Sequence, residues 1–236
     1  MLSSIRRTDH GWLAVGVRTN GQTIDGAVWR STDLDGWQPI PDGQALAGPE
    51  EIDLAEVHAF AGGYLATGIT GKHEDRLNCE GVGSDGRRVA MVGDLGLICG
   101  WGRRAEWWSA DGVTWQLLPP TMDQAGDPVG PARPDGRGLM DYGPVRAGGP
   151  GLVTIGYDFA GRLGSEDIRG IWTTADGRSW NPVGVASQFP PDATVTDMAI
   201  VGRRIVAVGY ATTPLRNGPE QGSREDAAAW IGTVLP

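Results

Sequence analysis

A seven-residue phrase recurs along this chain and constrains its fold more than any other feature. The copies are Ser109-Ala110-Asp111-Gly112-Val113-Thr114-Trp115, Thr174-Ala175-Asp176-Gly177-Arg178-Ser179-Trp180 and, more loosely, Ser31-Thr32-Asp33-Leu34-Asp35-Gly36-Trp37. Each copy follows a short apolar stretch that carries its own Trp, namely Trp29, Trp108 and Trp172. A repeated polar phrase between apolar stretches predicts a hairpin turn between neighbouring strands.

The residues of the phrase have a local physical role. An Asp side chain can accept hydrogen bonds from backbone amides one to three residues ahead, and the Ser or Thr two residues earlier helps to hold the turn. Gly supplies the positive φ that such a turn needs, and the closing Trp folds over it. We therefore interpret the following residues as structural rather than catalytic: Ser31, Asp33, Trp37, Ser109, Asp111, Gly112, Trp115, Thr174, Asp176, Gly177 and Trp180.

On these three phrases the chain resembles the Asp-box (BNR-repeat) β-propeller proteins, which include sialidases and many non-enzymatic modules. Each phrase is one residue shorter than the commonest form, and the first has Leu34 in place of Gly. Sialidases of this group use an arginine triad, a Tyr paired with Glu and an Asp acid/base, with an Arg-Ile-Pro phrase near the start. The nearest segment here, Ile5-Arg6-Arg7-Thr8, does not match. The resemblance implies the architecture without the sialidase catalytic motif.

A second signature precedes the turns: an apolar stretch that ends in Gly and in most copies also begins with Gly. It occupies residues 11–16, 63–68, 96–100, 151–156 and 204–209, and a further strand is predicted before each copy. Near-continuous apolar runs are typical of strands covered on both faces. The sequence therefore predicts an all-β fold, a single β-propeller over residues 1–236 with five blades of three to four antiparallel strands.

Two of the five units are irregular. The second has only a degenerate turn, Gly83-Ser84-Asp85-Gly86, after which the third begins almost at once, so one blade is expected to lack a strand. The last unit stops at Ala229-Trp230-Ile231-Gly232-Thr233-Val234 without a fourth strand. Either Met1 to Ser4 closes that blade or it stays three-stranded.

Bulk properties exclude some classes of partner. The net charge is −9 and no stripe of Lys or Arg is present, so nucleic acid is not expected to bind. The start has no apolar signal region and no stretch is long enough to span a membrane, so we expect a cytoplasmic protein without a membrane partner, or a secreted one if the sequence was trimmed. Cys79 and Cys99 could form one bridge, although a free Cys79 and a buried Cys99 are favoured.

Topology predicts where a functional site would lie. In an up-and-down blade the first and third connections emerge on one face, and here these are short turns. The other face receives the long connections, which are residues 17–26, 41–51, 69–76, 121–139, 158–169, 185–193 and 211–227. Variable segments on a rigid scaffold commonly carry function, so we predict a site on this long-loop face.

Charged residues in the first strand of each unit are the candidates for that site. Charges in strands that are apolar on both faces are costly unless they reach a water-filled channel or pair with one another. The predicted ligand-binding residues at the channel mouth are Arg6, Glu56, His58, Arg88, Asp141, Tyr142, Arg146 and Asp197. The alternative interpretation is that they form salt bridges between blades or lie at solvated loop ends.

Several other patterns carry little chemistry. Gly81-Val82-Gly83-Ser84-Asp85-Gly86 spells a dinucleotide-binding pattern but lacks a following helix. His73-Glu74-Asp75 is better explained as a solvated charge cluster than as a set of metal ligands, and Asp33-Leu34-Asp35 is an equally weak candidate for a calcium loop. We therefore predict no cofactor and no metal.

Two functions of different classes fit the sequence, and it does not decide whether the chain is an enzyme. The first is a binding module that recognises a glycan, a small molecule or a protein on the long-loop face. The alternative is a cyclase or isomerase that acts on an apolar metabolite in the channel mouth, and a glycosidase is less favoured. An apolar pocket with a shifted pKa would favour catalysis, and an open, solvated site would favour binding.

Overall fold

A computed structural model describes residues 1–21, 23–41, 43, 45–71, 80–82, 88–90, 103–122, 128–131, 141–142, 145–149, 151–158, 167–185, 193–202, 204–214 and 223–233 of the chain. Every regular element in this part is a β-strand, and the described strand pairs are antiparallel. The chain forms two compact units, Met1–Ala59 with Gly63–Pro131, and Phe60–Gly62 with Ala132–Pro236. The all-β, antiparallel prediction is confirmed.

The first sheet has the strand order predicted for one unit. Its strands are β1 (Leu2–Thr8), β2 (Gly11–Asn20), β3 (Thr23–Ser31) and β4 (Gln38–Pro39). They pair in chain order, β1-β2-β3-β4. The recurring phrase connects β3 to β4, so it is a turn between neighbouring strands.

The second sheet corrects the predicted division into units. The next strands are β5 (Glu51–Phe60), β6 (Gly63–Gly71), β7 (Glu80–Val82), β8 (Arg88–Ala90), β9 (Arg103–Ser109) and β10 (Gln116–Leu117). The sheet order is β10-β9-β6-β5, while β7 and β8 pair with each other as a separate ribbon. Strands from the predicted second and third units thus share one sheet, because β6 pairs directly with β9.

The third sheet begins with an interrupted strand. A ribbon of β11 (Pro120–Met122) and β12 (Pro128–Pro131) precedes it, and its own strands are β13 (Asp141–Tyr142), β14 (Arg146–Gly148), β15 (Gly151–Asp158), β16 (Asp167–Thr174) and β17 (Asn181–Val185). Both β13 and β14 pair with β15, so together they take the place of one first strand. The recurring phrase again connects the last two strands.

The fourth sheet has three strands. These are β18 (Ala193–Val201), β19 (Arg204–Pro214) and β20 (Ser223–Thr233), paired in that order. The N-terminal residues lie instead in the first sheet, where β1 pairs with β2 and the Met1 amino group donates to the Val17 carbonyl oxygen at 2.7 Å. Of the two alternatives for the last sheet, the described residues agree with the three-stranded one. They form four sheets of three or more strands, so a fifth blade stays a prediction.

Each of the two compact units has its own apolar core, which lies between two sheets. In the first unit Leu13 and Val28 of the first sheet pack with Leu54, Ala66 and Trp107 of the second. The Trp107 indole donates to the Ala45 carbonyl oxygen at 2.7 Å, which satisfies its one polar atom. In the second unit a corresponding cluster joins the third and fourth sheets, with members Val153, Ile155, Ile171, Val195, Met198, Ile205 and Ala207.

In the units whose second strand is described, the Gly predicted to end that strand lies inside it. β2 continues past Gly16 to Asn20, and β6 continues past Gly68. Opposite Gly16 the register of β1 shifts between Leu2 and Ser4, a β-bulge that pushes the Met1 carbonyl oxygen against the Gly16 Cα. Gly is needed here because any Cβ would collide with that backbone oxygen.

One Trp of the sequence prediction is displaced by one residue. Trp29 and Trp172 lie two residues before the hydroxyl residue of their turn, and in the second sheet Trp107 holds that position rather than Trp108. The pairings agree, because Trp29 lies opposite Ala14 and Trp107 opposite Ala66. A shift of one residue moves a side chain to the other face of a sheet, which is why Trp107 rather than Trp108 joins the core of the first unit.

Candidate functional site

All three recurring phrases form the same network of hydrogen bonds. In the second copy the Ser109 hydroxyl donates to Asp111 Oδ1 at 3.0 Å and accepts from the Gly112 amide at 2.8 Å. Asp111 Oδ1 also accepts from the amides of Val113 and Thr114, at 2.8 and 2.7 Å. Equivalent bonds are made by Ser31 and Asp33 in the first copy and by Thr174 and Asp176 in the third. We call these segments the Asp turns.

The hydrogen bonds of the Asp turns keep their carboxyl groups ionised. The Thr114 and Val113 amides lower the pKa of Asp111, and the Gly36 and Asp35 amides lower the pKa of Asp33. Partial burial alone would raise the pKa of Asp176, but the amides of its turn and the Thr174 hydroxyl outweigh burial and lower it. A carboxylate held in this way is a weak base, so the Asp turns are scaffold rather than proton-transfer groups.

In each of the first three sheets, the Asp turn and the connection from the first to the second strand lie at the same end. The backbone at Gly11 packs so closely on Ser31 that a Cβ would collide with the Ser31 carbonyl oxygen. The same contact joins Gly63 to Ser109. We call this end of a sheet, where its two short connections meet, the turn edge.

A cavity of about 370 Å³ opens between the turn edges of the first and second sheets, within the first unit. Leu13 and Ile40 are its buried floor. Its lining includes Thr8, the last residue of β1, and Thr32 from the Asp turn of the first sheet. The volume falls in the range of small-molecule sites, roughly 300–1,000 Å³.

Two aromatic side chains line this cavity. Trp12 and Tyr64 are both half-buried, so part of each ring stays accessible. The Tyr64 ring lies over Gly112 of the second Asp turn, where its Cε2 atom would be 3.3 Å from an added Cβ. The packing against the turn holds the Tyr64 ring in place, which prepares a flat apolar surface for a ligand.

The rim of the cavity is polar. His10, Arg30 and Gln38 are exposed, and Asp111 contributes its carboxylate from the second Asp turn. Together these side chains offer amide, guanidinium and imidazole donors as well as carbonyl and carboxylate acceptors. Such an arrangement can hold a ligand with one apolar face and several hydroxyl or amide groups.

Of the residues predicted at the channel mouth, Glu56 and His58 are brought together. Glu56 Oε2 lies 3.2 Å from His58 Nε2, and the two residues are two apart on β5. The His58 side chain is only 2% exposed and that of Glu56 is 38% exposed. The pair is therefore a mostly covered contact along one strand rather than an open binding surface.

Arg146 and Asp197 form a pair between neighbouring sheets of the second unit. Arg146 Nε donates to Asp197 Oδ1 at 2.8 Å, and Arg146 Nη1 donates to the Val145 carbonyl oxygen at 2.7 Å. Asp197 also accepts from the Met198 amide at 2.7 Å. These groups satisfy one another, which favours the salt-bridge interpretation over the ligand-binding one for this pair.

The remaining channel-mouth residues give less support to a single cluster. Arg6 donates to the neighbouring Ile5 carbonyl oxygen at 3.1 Å. Among the described residues, Arg88 lies on β8, which pairs with β7 as a two-stranded ribbon. Asp141 and Tyr142 lie on β13, of which the backbone alone is described. That the predicted channel-mouth residues converge on one site stays a prediction.

Most of the long connections fall outside the described residues, and so do Cys79, Cys99 and His73 to Asp75. In the part of the chain that is described, no three His, Cys, Asp or Glu side chains are grouped as metal ligands. None of the described residues forms a helix suited to crossing a bilayer.

The sequence interpretation missed the cavity at the turn edge. The sequence analysis placed both short connections of each unit on one face and predicted the functional site on the opposite, long-loop face. One signal was available, because Gly11-Trp12 and Gly63-Tyr64 place an aromatic residue at the same position of two neighbouring units. Gly11 and Gly63 pack closely on the backbone of the Asp turns, so the aromatic residue that follows each of them lies near the turn edge, where it can line a cavity.

Comparisons with known proteins add little to this picture. No protein-family model matches the chain, and no curated protein matches it. Among solved structures it is similar to a Bombyx mori GH32 beta-fructofuranosidase mutant in complex with sucrose, with 11% identity and a TM-score of 0.43. The match covers 98% of this chain and 47% of that one, so this chain spans about half its length. A likeness this weak carries no argument about what the chain binds or does.

Proposed function

We propose that this chain is a ligand-binding module that holds a small neutral saccharide, or a polyol of similar size, in the turn-edge cavity of its first unit. The observation that carries the proposal is the cavity of about 370 Å³ with two half-buried aromatic rings and a polar rim. A volume of this size accommodates one or two sugar rings.

The chemistry of the lining favours this ligand class. A sugar ring has an apolar face of C–H groups, which packs well on an aromatic ring such as Trp12 or Tyr64. Its hydroxyl groups both donate and accept, and they match the mixed donors and acceptors of Arg30, Gln38 and Asp111. The rim brings together a guanidinium and a carboxylate, so it does not favour a strongly charged ligand of either sign.

Binding is better supported than catalysis. A catalytic acid or base at neutral pH needs a pKa moved toward neutrality, and the pKa of Asp111 is moved the other way by its turn amides. The cavity is also rimmed by exposed side chains, which keep water at the site. Both properties suit a reversible ligand.

We also propose that the sheets are blades of a single β-propeller, with five blades as the sequence predicts. The support is local. The first three sheets have the same order of four strand positions, with the first position of the third sheet shared by β13 and β14, and the fourth sheet repeats the first three positions. Sheets that repeat one order and one register are the building units of this architecture.

The proposal is tested by titrating the purified chain with a panel of neutral mono- and disaccharides, read by intrinsic Trp fluorescence and calorimetry. Trp12→Ala and Arg30→Ala should each weaken binding by roughly tenfold, as expected for the loss of one packed ring or one charged donor. Arg146→Ala is the matched control, because Arg146 lies in the second unit.

Two outcomes would count against the proposal. One is that no saccharide of the panel binds at millimolar concentration. The other is that Arg146→Ala loses binding while Arg30→Ala keeps it, which would return the site to the predicted channel mouth. Melting curves of all three variants separate loss of ligand binding from loss of the fold.

A further inference from the structure

In the part of the chain that the structure describes, the fourth sheet lacks the last strand that each of the other three sheets has. In the other three sheets the last strand is short and pairs with the strand before it, as β4 does with β3, β10 with β9 and β17 with β16. Among the described residues β20 pairs with β19 alone. The other edge of β20 therefore has no strand from the described part of the chain.

The register identifies which edge this is. Trp230 of β20 lies opposite Ala207, just as Trp29 of β3 lies opposite Ala14 and Trp107 of β9 opposite Ala66. Strand β20 is thus the equivalent of β3 and β9. Its outer edge is the one that carries β4 and β10 in the first two sheets.

The three short last strands share a sequence pattern that the turns do not explain. A Trp is followed by Gln or Asn, then by any residue, then by an aliphatic residue: Trp37-Gln38-Pro39-Ile40, Trp115-Gln116-Leu117-Leu118 and Trp180-Asn181-Pro182-Val183. The aliphatic residue is anchored, since Ile40 is 4% exposed and its amide donates to the Val28 carbonyl oxygen at 2.9 Å. Leu118 donates in the same way to Glu106, at 2.8 Å.

The corresponding acceptor on β20 is at Ala229. Val28 and Glu106 each lie one residue before the Trp of their strand, and Ala229 has this position before Trp230. Ala229 is exposed, and Ile231 next along the same face is 77% exposed. An exposed edge of uncharged residues is a template for pairing with another strand.

We infer that the edge of β20 binds an extended segment of a partner polypeptide by antiparallel strand addition, and that this segment carries the pattern Trp, Gln or Asn, any residue, aliphatic residue. Main-chain hydrogen bonds to β20 would supply affinity, and the Trp and aliphatic side chains would supply selectivity. The chemistry of the occupant follows from the three copies that cover this edge elsewhere in the chain.

The test uses the full chain and a labelled synthetic peptide with the sequence of residues 113–120, Val-Thr-Trp-Gln-Leu-Leu-Pro-Pro. We expect the peptide to bind and to slow hydrogen exchange of backbone amides in residues 228–232. Ala229→Pro should weaken binding by about tenfold or more, because the Ala229 N–H faces the same edge as its carbonyl acceptor, and Pro at an edge removes that donor and blocks pairing with another strand. Ala229→Val is the matched control, since Val keeps that donor and favours a strand.

A second peptide, with Ser in place of both Trp and the anchored Leu, checks the side-chain pattern and should bind at least about tenfold more weakly. The inference is overturned if the first peptide leaves exchange of residues 228–232 unchanged, or if Ala229→Pro binds it as well as Ala229→Val does. It is equally overturned if sedimentation shows a dimer whose β20 amides are already protected, because a second copy would then be the occupant.

Discussion

Leu34 occupies in the first Asp turn the position that Gly112 occupies in the second, and its backbone adopts the same left-handed conformation. Its φ is 75°, against 72° for Gly112, and Leu34 is the one described residue other than Gly with a positive φ. The hydrogen bonds of the turn hold it there, with the Leu34 amide donating to the Ser31 hydroxyl at 2.9 Å. The first turn is therefore strained where the other two are not.

Replacing Leu34 by Gly should stabilise the protein. A left-handed conformation costs a residue with a Cβ about 1–2 kcal/mol, and the greater freedom of Gly in the unfolded chain takes back part of this gain. Leu34 is also 44% exposed, so little packing is lost. We expect an increase of about 0.5–1 kcal/mol in the free energy of unfolding, measured by urea denaturation.

The reciprocal change is the control. Gly112→Ala introduces a Cβ at positive φ and brings it to 3.3 Å from the Tyr64 ring, so it should destabilise the chain. If Leu34→Gly were destabilising and Gly112→Ala neutral, the equivalence of the two positions would be wrong.

The Asp turns predict a specific dependence of stability on pH. Because the folded-state pKa of Asp111 lies below its ordinary value of 3.8, its contribution to stability is fully present above that value and disappears as the pH falls through the folded-state pKa. Asp111→Asn should therefore lower Tm at neutral pH, and the difference from the unmodified chain should shrink in acid. Thermal melts across the acid range measure this, with the exposed Asp9→Asn as control. A Tm difference that persists unchanged in strong acid would contradict the assignment.

The Asp turns could be predicted from the sequence because their interactions are local. Ser109, Asp111 and the amides they bind lie within five residues of one another, so the hydrogen bonds follow from spacing alone. The pairing of β6 with β9 could not be predicted in this way. It joins Thr70 to Arg103, which are 33 residues apart in the chain, and the apolar stretch at residues 96–100, which lies outside the described residues, repeats the sequence pattern of the second strands.

The candidate site shows the same limit. The cavity depends on how the turn edges of two sheets meet, and it joins His10 and Trp12 to Tyr64 and Asp111 from distant parts of the chain. The local sequence around residues 10–12 or around residues 64 and 111 does not predict that these segments meet. A salt bridge of Arg146 or Asp197 was one of two alternatives that the sequence left open, and the 2.8 Å hydrogen bond between them favours it.

Asp53 is expected to reduce stability at neutral pH. Burial raises the pKa of this half-buried carboxyl group on β5. Its charge is therefore harder to form in the folded chain than in the unfolded one. The cost is present above the raised pKa and vanishes as the pH falls below the ordinary value of 3.8, where both states are protonated. Asp53→Asn should raise Tm at neutral pH and leave it nearly unchanged in strong acid, with Asp9→Asn again as control. A lower Tm at neutral pH would show that Asp53 instead has a partner that needs its charge.

The Arg146–Asp197 pair should contribute modestly to stability. The two side chains are 25% and 57% exposed, so solvent screens much of their attraction. A double-mutant cycle of Arg146→Ala and Asp197→Ala should give a coupling free energy of about 0.5–1 kcal/mol, measured by urea denaturation in low salt and smaller in high salt. No measurable coupling would mean that the pair does not link the third and fourth sheets, and its place at the predicted channel mouth would need another explanation.

The bulge opposite Gly16 gives the sharpest test of the strand register. An Ala at this position would place its Cβ against the Met1 carbonyl oxygen, which is already fixed by the Val17 amide at 3.0 Å. Backbone cannot move aside as a flexible side chain does, so Gly16→Ala should cost about 1–3 kcal/mol, as overpacking usually does. Gly232→Ala is the matched control, because Gly232 also lies in a strand but an added Cβ there meets nothing within 4 Å. It should be neutral or slightly stabilising, since Gly weakens a strand interior. Equal effects of the two substitutions on Tm would mean that β1 and β2 do not pair with a bulge at this position.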